Sequence, residues 1–255
     1  MTDHFIRKKP ADDTLKKKIT AFLGMKCFNN DNPGAINTAR GFLEFFERYA
    51  PSPGLLDSAL VYLNSSKTEE TTVRQNRDYI RVYFLKNDFA RVTEYARALK
   101  PADMKDAWTC YRIADAYSKT GANEKALPWF KRATEILPFS LDFQNKYGTC
   151  LVALQQYPEA LKTFQFIVGE NPGHISANTN LGFIYMQDGN NTMAYNYLTR
   201  ARDLDPDYEQ NLINLAVWYH NNNRLPDAER ALLHLLEKHP ANQQARSMLM
   251  DLQKR

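Results

Sequence analysis

The sequence predicts an all-α protein built by stacking helical hairpins. Three observations carry that expectation. Pro138, Pro172, Pro206 and Pro240 follow one another at intervals of 34 residues. Between them, columns of similar residues recur with the same period. The composition is poor in glycine, with 10 in 255 residues, and rich in Tyr and Phe, with 14 of each. Runs of β-branched residues are short, which favours helices over strands.

In chain order, residues 1–11 read as a flexible N-terminal segment. "MTDHFIRKKPADD" has no apolar core of the kind that marks a signal peptide. Residues 12–106 read as imperfect helical hairpins. Segment 15–51 reads as a helix pair around "NNDNPG", and "PGLLDSALVYLNSS" reads as another short helix. The polar stretch 64–72, "NSSKTEETT", is the expected irregular boundary. Residues 83–101 keep the turn and second-helix pattern but reach proline early, at Pro101.

Residues 107–240 read as four regular units starting at Ala107, Leu141, Ile175 and Glu209. One column is small: Ala114, Gly148, Gly182, Ala216. A second is alanine: Ala126, Ala160, Ala194, Ala228. A third is large and apolar: Phe130, Phe164, Leu198, Leu232. A fourth reads Tyr117, Leu151, Tyr185, Tyr219. Each unit thus holds two amphipathic segments of about 12–14 residues, a common helix length. The small residues let two helix axes approach, and the large ones fill the space beside them. Turns fall at "KTGAN", "QQYPE", "QDGNN" and "NNNRLP". Proline, unable to donate inside a helix, separates one hairpin from the next. Residues 241–255 read as a capping helix whose charged end, Lys254–Arg255, suits an exposed C-terminus.

Enzyme motifs are missing. No nucleotide-binding loop, nucleophile elbow or H-E-x-x-H occurs. His234 and His239 are five apart and do not share a helix face. Cys27, Cys110 and Cys150 are sparse and form no C-x-x-C, so they read as buried small residues. Glu69–Glu70 and Asp12–Asp13 read as solvated pairs. The net charge of +4 leaves no strong nucleic-acid footprint. The basic cluster of Arg7, Lys8, Lys9 and Lys16 to Lys18 has no interleaved aromatics to stack bases. No apolar run approaches the ~18 residues of a membrane span. The expectation is a soluble, non-catalytic chain without cofactor or metal, which binds neither nucleic acid nor the membrane interior.

The 34-residue period and its columns resemble the tetratricopeptide repeat (TPR). That resemblance implies a right-handed α-solenoid of TPR hairpins, closed by the C-terminal capping helix, with first helices lining a concave face. It departs from the usual pattern at Cys110, Gln144, Asn178 and Leu212, where a large residue is common. It departs again at Ile167 and Leu235, where the other two units carry Ala133 and Ala201. One column on the implied concave face reads Arg112, Lys146, Asn180, Asn214. It is flanked by Tyr111, Asn145, Thr179 and Ile213, and by Asp115, Thr149, Phe183 and Val217.

Two readings of this face stand: ordinary solvent-facing polarity, or a groove for a peptide or protein segment. In the second, the candidate contacts are Tyr111, Arg112, Asn145, Lys146, Asn180, Phe183, Asn214 and Val217. Asparagine donates and accepts at once, which suits an extended backbone. The carboxylate clamp of TPR co-chaperones does not fit. Its places in units two to four hold Asn145, Thr149, Asn180, Gln210 and Asn214, of which only Asn180 agrees.

A second resemblance is carried by "TDHFIRKKP" alone, which is similar to a segment preceding C-terminal TPR arrays in multihaem c-type cytochromes. It implies a fragment of a larger periplasmic redox protein, with His4 as a haem axial ligand and an array serving assembly or docking. With Met1 as native start, the chain is instead a cytoplasmic adaptor. Self-association is left open.

Overall fold

The computed structural model describes residues 53–65 and 72–253, and every regular element there is helical. The expected flexible segment 1–11, the helix pair in 15–51, the basic cluster, residues 66–71 of the expected loop and Lys254–Arg255 lie outside the described residues. The chain divides into two compact units, Met1–Ile136 and Leu137–Arg255.

In the first unit, α1 spans Pro53–Ser65, α2 Thr72–Leu85, α3 Phe89–Ala96, α4 Ala107–Lys119 and α5 Asn123–Ile136. Asp88 caps α3 by accepting from the Arg91 N–H. Asp106 caps α4 by accepting from the Trp108 and Thr109 N–H groups. Each cap satisfies donors that a helix start leaves orphaned. Tyr79, Tyr83 and Tyr95 stack between α2 and α3, with Tyr79 and Tyr95 centroids 4.6 Å apart. Burial pushes the Tyr79 hydroxyl up to about 12. Helix α3 has 8 residues where α5 has 14, and a short 3₁₀ turn, Pro101–Asp103, follows. Met104 stands where the later repeats place proline. It is buried, and its carbonyl accepts from Arg132 Nε at 3.0 Å.

The second unit holds α6 (Leu141–Ala153), α7 (Tyr157–Glu170), α8 (Ile175–Gln187), α9 (Asn191–Leu204), α10 (Glu209–Asn221), α11 (Leu225–Lys238) and α12 (Gln243–Gln253). First helices begin at Ala107, Leu141, Ile175 and Glu209, and α12 begins 34 residues further on. The same interval governs the turns. Asn87, Gly121, Gln155, Gly189 and Asn223 are 34 apart, and all have positive φ, between 58° and 80°. The residue that ends each first helix in the left-handed conformation therefore keeps the repeat register back to the α2–α3 hairpin.

The columns are the core. All four members of the small, alanine and large-apolar columns are buried. Gly182 shows why its column is small. A Cβ there would lie 2.5 Å from Leu198 Cγ and 3.2 Å from the Ala194 carbonyl. At Gly148 it would lie 2.7 Å from the Phe164 ring. Met250 on α12 occupies this same column yet is 55% exposed.

The departures at Gln144 and Asn178 have a shared explanation. Gln144 Nε2 donates to the Pro138 carbonyl at 2.9 Å, and Asn178 Nδ2 donates to the Pro172 carbonyl at 3.1 Å. Arg246 does the same for Pro240. The side chain six residues after each of these prolines latches the turn that proline opens, at the expense of apolar filling. Asn178 Nδ2 also donates to the His174 carbonyl, while its buried Oδ1 meets no donor. At Pro206 the corresponding residue is Leu212, which packs in the core instead.

Candidate functional site

Six of the eight candidate contacts lie in the second unit, on the first helices α6, α8 and α10. Side-chain hydrogen bonds tie these helices together. Ser176 Oγ on α8 donates to Asn145 Oδ1 on α6 at 3.1 Å. Asn180 Nδ2 donates to the Ser176 carbonyl at 2.8 Å, one turn back. Thr179 Oγ1 donates to Asn211 Oδ1 on α10 across 3.4 Å, and Asn211 Nδ2 donates to the Leu198 carbonyl. Thr179 and Asn211 are buried, so this pair fixes the register of α8 against α10.

The half-buried members are Asn145, Lys146, Asn180, Phe183 and Val217. They form a surface of amides and apolar groups with little charge. Helix α8 carries no Asp, Glu, Lys or Arg at all. Asn180 keeps its Oδ1 available to accept, since the hydrogen bonds it makes run through Nδ2. Asn214 differs from its column neighbours. It is only 5% exposed and accepts from Gln210 Nε2 at 3.2 Å. The exposed amide at this level belongs to Gln210. Phe183 meets Tyr157 edge to face, with centroids 6.3 Å apart.

Tyr111 and Arg112 belong to the first unit. They stand on α4 beside Trp108, which sequence reasoning did not single out and which is 53% exposed. The Arg112 guanidinium carbon lies 5.9 Å from the Trp108 ring centroid, and Tyr111 meets that ring edge to face at 6.0 Å. The flanking Asp115 is buried and paired with Lys119 at 3.5 Å. A half-exposed Trp beside Arg and Tyr is the composition enriched where partners bind. The only sequence signal was its place one turn before Arg112 on the same helix.

Among the described residues, no group of three or more His, Cys, Asp or Glu is placed to hold a metal. No helix there is long and apolar enough to cross a membrane. His234 and His239 engage different carboxylates, Asp207 at 2.8 Å and Glu209 at 3.8 Å.

Two tetratricopeptide-repeat family models match the chain, over residues 109–138 and 186–252. Those stretches are tetratricopeptide repeats. Their helix pairs are therefore TPR hairpins, and such repeats serve as protein-interaction scaffolds. No curated protein matches the sequence. Among solved structures, it is similar to YrrB, described as a TPR protein with an unusual peptide-binding site. That match has a TM-score of 0.63 and 22% identity, and covers 76% of this chain and 95% of YrrB. PilF of Pseudomonas aeruginosa matches with a TM-score of 0.59 and 12% identity, over 86% of this chain and 96% of PilF. MamA matches with a TM-score of 0.54 and 17% identity, over 63% of this chain and 94% of MamA. These likenesses are likenesses of fold. They give no support to the cytochrome resemblance of "TDHFIRKKP", which falls on residues outside those described.

Proposed function

We propose that this TPR protein is a non-catalytic scaffold that holds an extended peptide or protein segment on the first-helix face of its second unit. The observation that carries the reading is the sparsely charged, amide-rich surface across α6, α8 and α10. Asn145, Asn180 and Gln210 offer donors and acceptors to an unpaired backbone. Phe183 and Val217 supply apolar contact between them, and Lys146 adds one cation at the α6 end. Asn214 acts by positioning Gln210. Tyr111 and Arg112, with Trp108, form a contact patch of the first unit. The YrrB description, a TPR protein with a peptide-binding site, agrees with a peptide as the ligand class.

Selection of random dodecamer peptides on the full chain supplies a ligand for the test. Asn180→Ala removes one neutral hydrogen-bonding side chain, worth about 0.5–1.5 kcal/mol. The selected peptide should then bind roughly two- to tenfold more weakly by calorimetry, with an unchanged thermal midpoint. Full affinity in Asn180→Ala and in Gln210→Ala would remove the face from consideration.

A further inference from the structure

A pocket of about 360 Å³ lies between the start of α7 and the end of α8. Its walls are Tyr157, Pro158, Leu161, Ile184 and Tyr185, with Gln187 and Asp188 completing the lining. Asp188 is the only charged residue in that lining. It is exposed, and it pairs with no basic side chain among the described residues. Tyr157 in the pocket wall is the ring that Phe183 of the first-helix face meets, so pocket and face share an aromatic contact. The Tyr185 ring stacks on Tyr197 at 5.6 Å, and its hydroxyl accepts from Gln165 Nε2. Those contacts fix the wall on the α8 side.

We infer that this pocket is a specificity subsite for a basic side chain, arginine above all, of the segment bound by the second unit. The inference rests on the peptide-binding reading above. Four features converge on a cation with an apolar stem. Leu161, Ile184 and Pro158 accept the methylenes of a long side chain. Two tyrosine rings favour a guanidinium over their faces. Asp188 supplies a carboxylate in the lining, the partner that the planar fork of a guanidinium prefers. The pocket also lies at the C-terminal end of α8, the negative end of the helix dipole, which favours positive charge. The opposing wall includes the first turn of α7, which favours negative charge. There Pro158 has no N–H to offer, and Glu159, whose carboxylate accepts from the Tyr147 hydroxyl, already places a negative charge in that first turn. The balance of charge therefore points to a cation.

The test uses the full chain with methyl-labelled Leu and Ile, titrated with three capped pentapeptides: acetyl-Gly-Gly-Arg-Gly-Gly-amide and its Leu and Glu counterparts. The Arg peptide should move the Leu161 and Ile184 methyl resonances saturably. Asp188→Asn should weaken that binding about three- to fivefold, the scale of an exposed ion pair, and added salt should weaken it as well. Equal or stronger shifts from the Leu peptide would make the pocket merely apolar and overturn the inference. Equal or stronger shifts from the Glu peptide would assign the site to the α7 N-terminus and overturn it too. So would an Arg peptide that leaves both methyls unmoved. An Arg peptide that leaves both methyls unmoved, while the selected dodecamer still binds the chain and still loses affinity in Asn180→Ala, sinks the pocket alone; a dodecamer insensitive to Asn180→Ala and Gln210→Ala sinks the face, so the two failures are read separately.

Discussion

Replacing Gly182 by Ala adds one carbon at the tightest helix contact of the second unit. That carbon would sit 2.5 Å from Leu198 Cγ and 2.6 Å from one of its methyls. Leu198 Cγ is a branch point close to the backbone, and the side chain is fully buried, so it cannot swing aside. The Ala194 carbonyl, at 3.2 Å, closes the other escape. Overpacking of this kind costs about 1–3 kcal/mol. Alanine returns roughly 1 kcal/mol of that through its better helix propensity. A 2.5 Å approach to a branched, fully buried carbon puts this contact in the upper part of that range, about 2–3 kcal/mol, so the net expectation is a loss of about 1–2 kcal/mol. Urea unfolding followed by circular dichroism should show a lower midpoint at unchanged slope. Shortening the partner should relieve the clash. Leu198→Ala alone should cost about 2–5 kcal/mol. In the Gly182→Ala background it should cost at least about 1 kcal/mol less, a coupling that a double-mutant cycle reads directly. If Gly182→Ala is as stable as the parent chain, helix propensity outweighs the contact and the account of the small column is wrong.

Other expectations concern single residues. Gln155 holds φ +58° at the position where two sister hairpins have glycine; Gln155→Gly should stabilise the fold by up to about 1 kcal/mol, seen as a higher urea midpoint. Burial pushes the Cys110 thiol up to about 12, and Cys150 is buried too. Both should resist iodoacetamide in the native chain and react once urea unfolds it, as peptide mass spectrometry can show. The hydrogen bond to His234, with that to Lys238, holds the Asp207 carboxyl below its usual range. Its folded value is depressed, so the pair stabilises above the unfolded carboxylate range and loses that effect on acidification. Asp207→Asn should therefore lower the urea midpoint at about pH 5.5 but leave it unchanged near about pH 2.5.

The sequence made the hairpins legible because their columns are set by close packing, and close packing restricts residue type. Small, alanine and large positions each face the same neighbours in every unit, so their periodicity could be read without coordinates. The left-handed turn at Gln155 escaped such reading. Glycine or asparagine would have announced it, and glutamine does not. The latches by Gln144 and Asn178 looked like mere departures from a large-residue column, because a side chain reaching six residues back leaves no periodic trace. Asn214 shared a column with Asn180, yet Gln210 and the packing around α10 turned it inward. Trp108 and the Tyr157–Tyr185 pocket depend on which side chains neighbouring helices leave uncovered, a property of assembled surfaces rather than of any single column.

Met250 bears on how arrays of this kind lengthen. Helix α12 starts in phase with the four first helices before it, so a copied hairpin grafted onto it would inherit the correct spacing. At the point of closest approach, however, it would meet a methionine where α11 meets Ala216. A second helix packed closely on α12 is therefore sterically unfavourable, and Met250→Ala is the substitution an engineer would make first before grafting a further hairpin there. Close packing on α12 is thus limited by a single side chain rather than by the 34-residue phase itself.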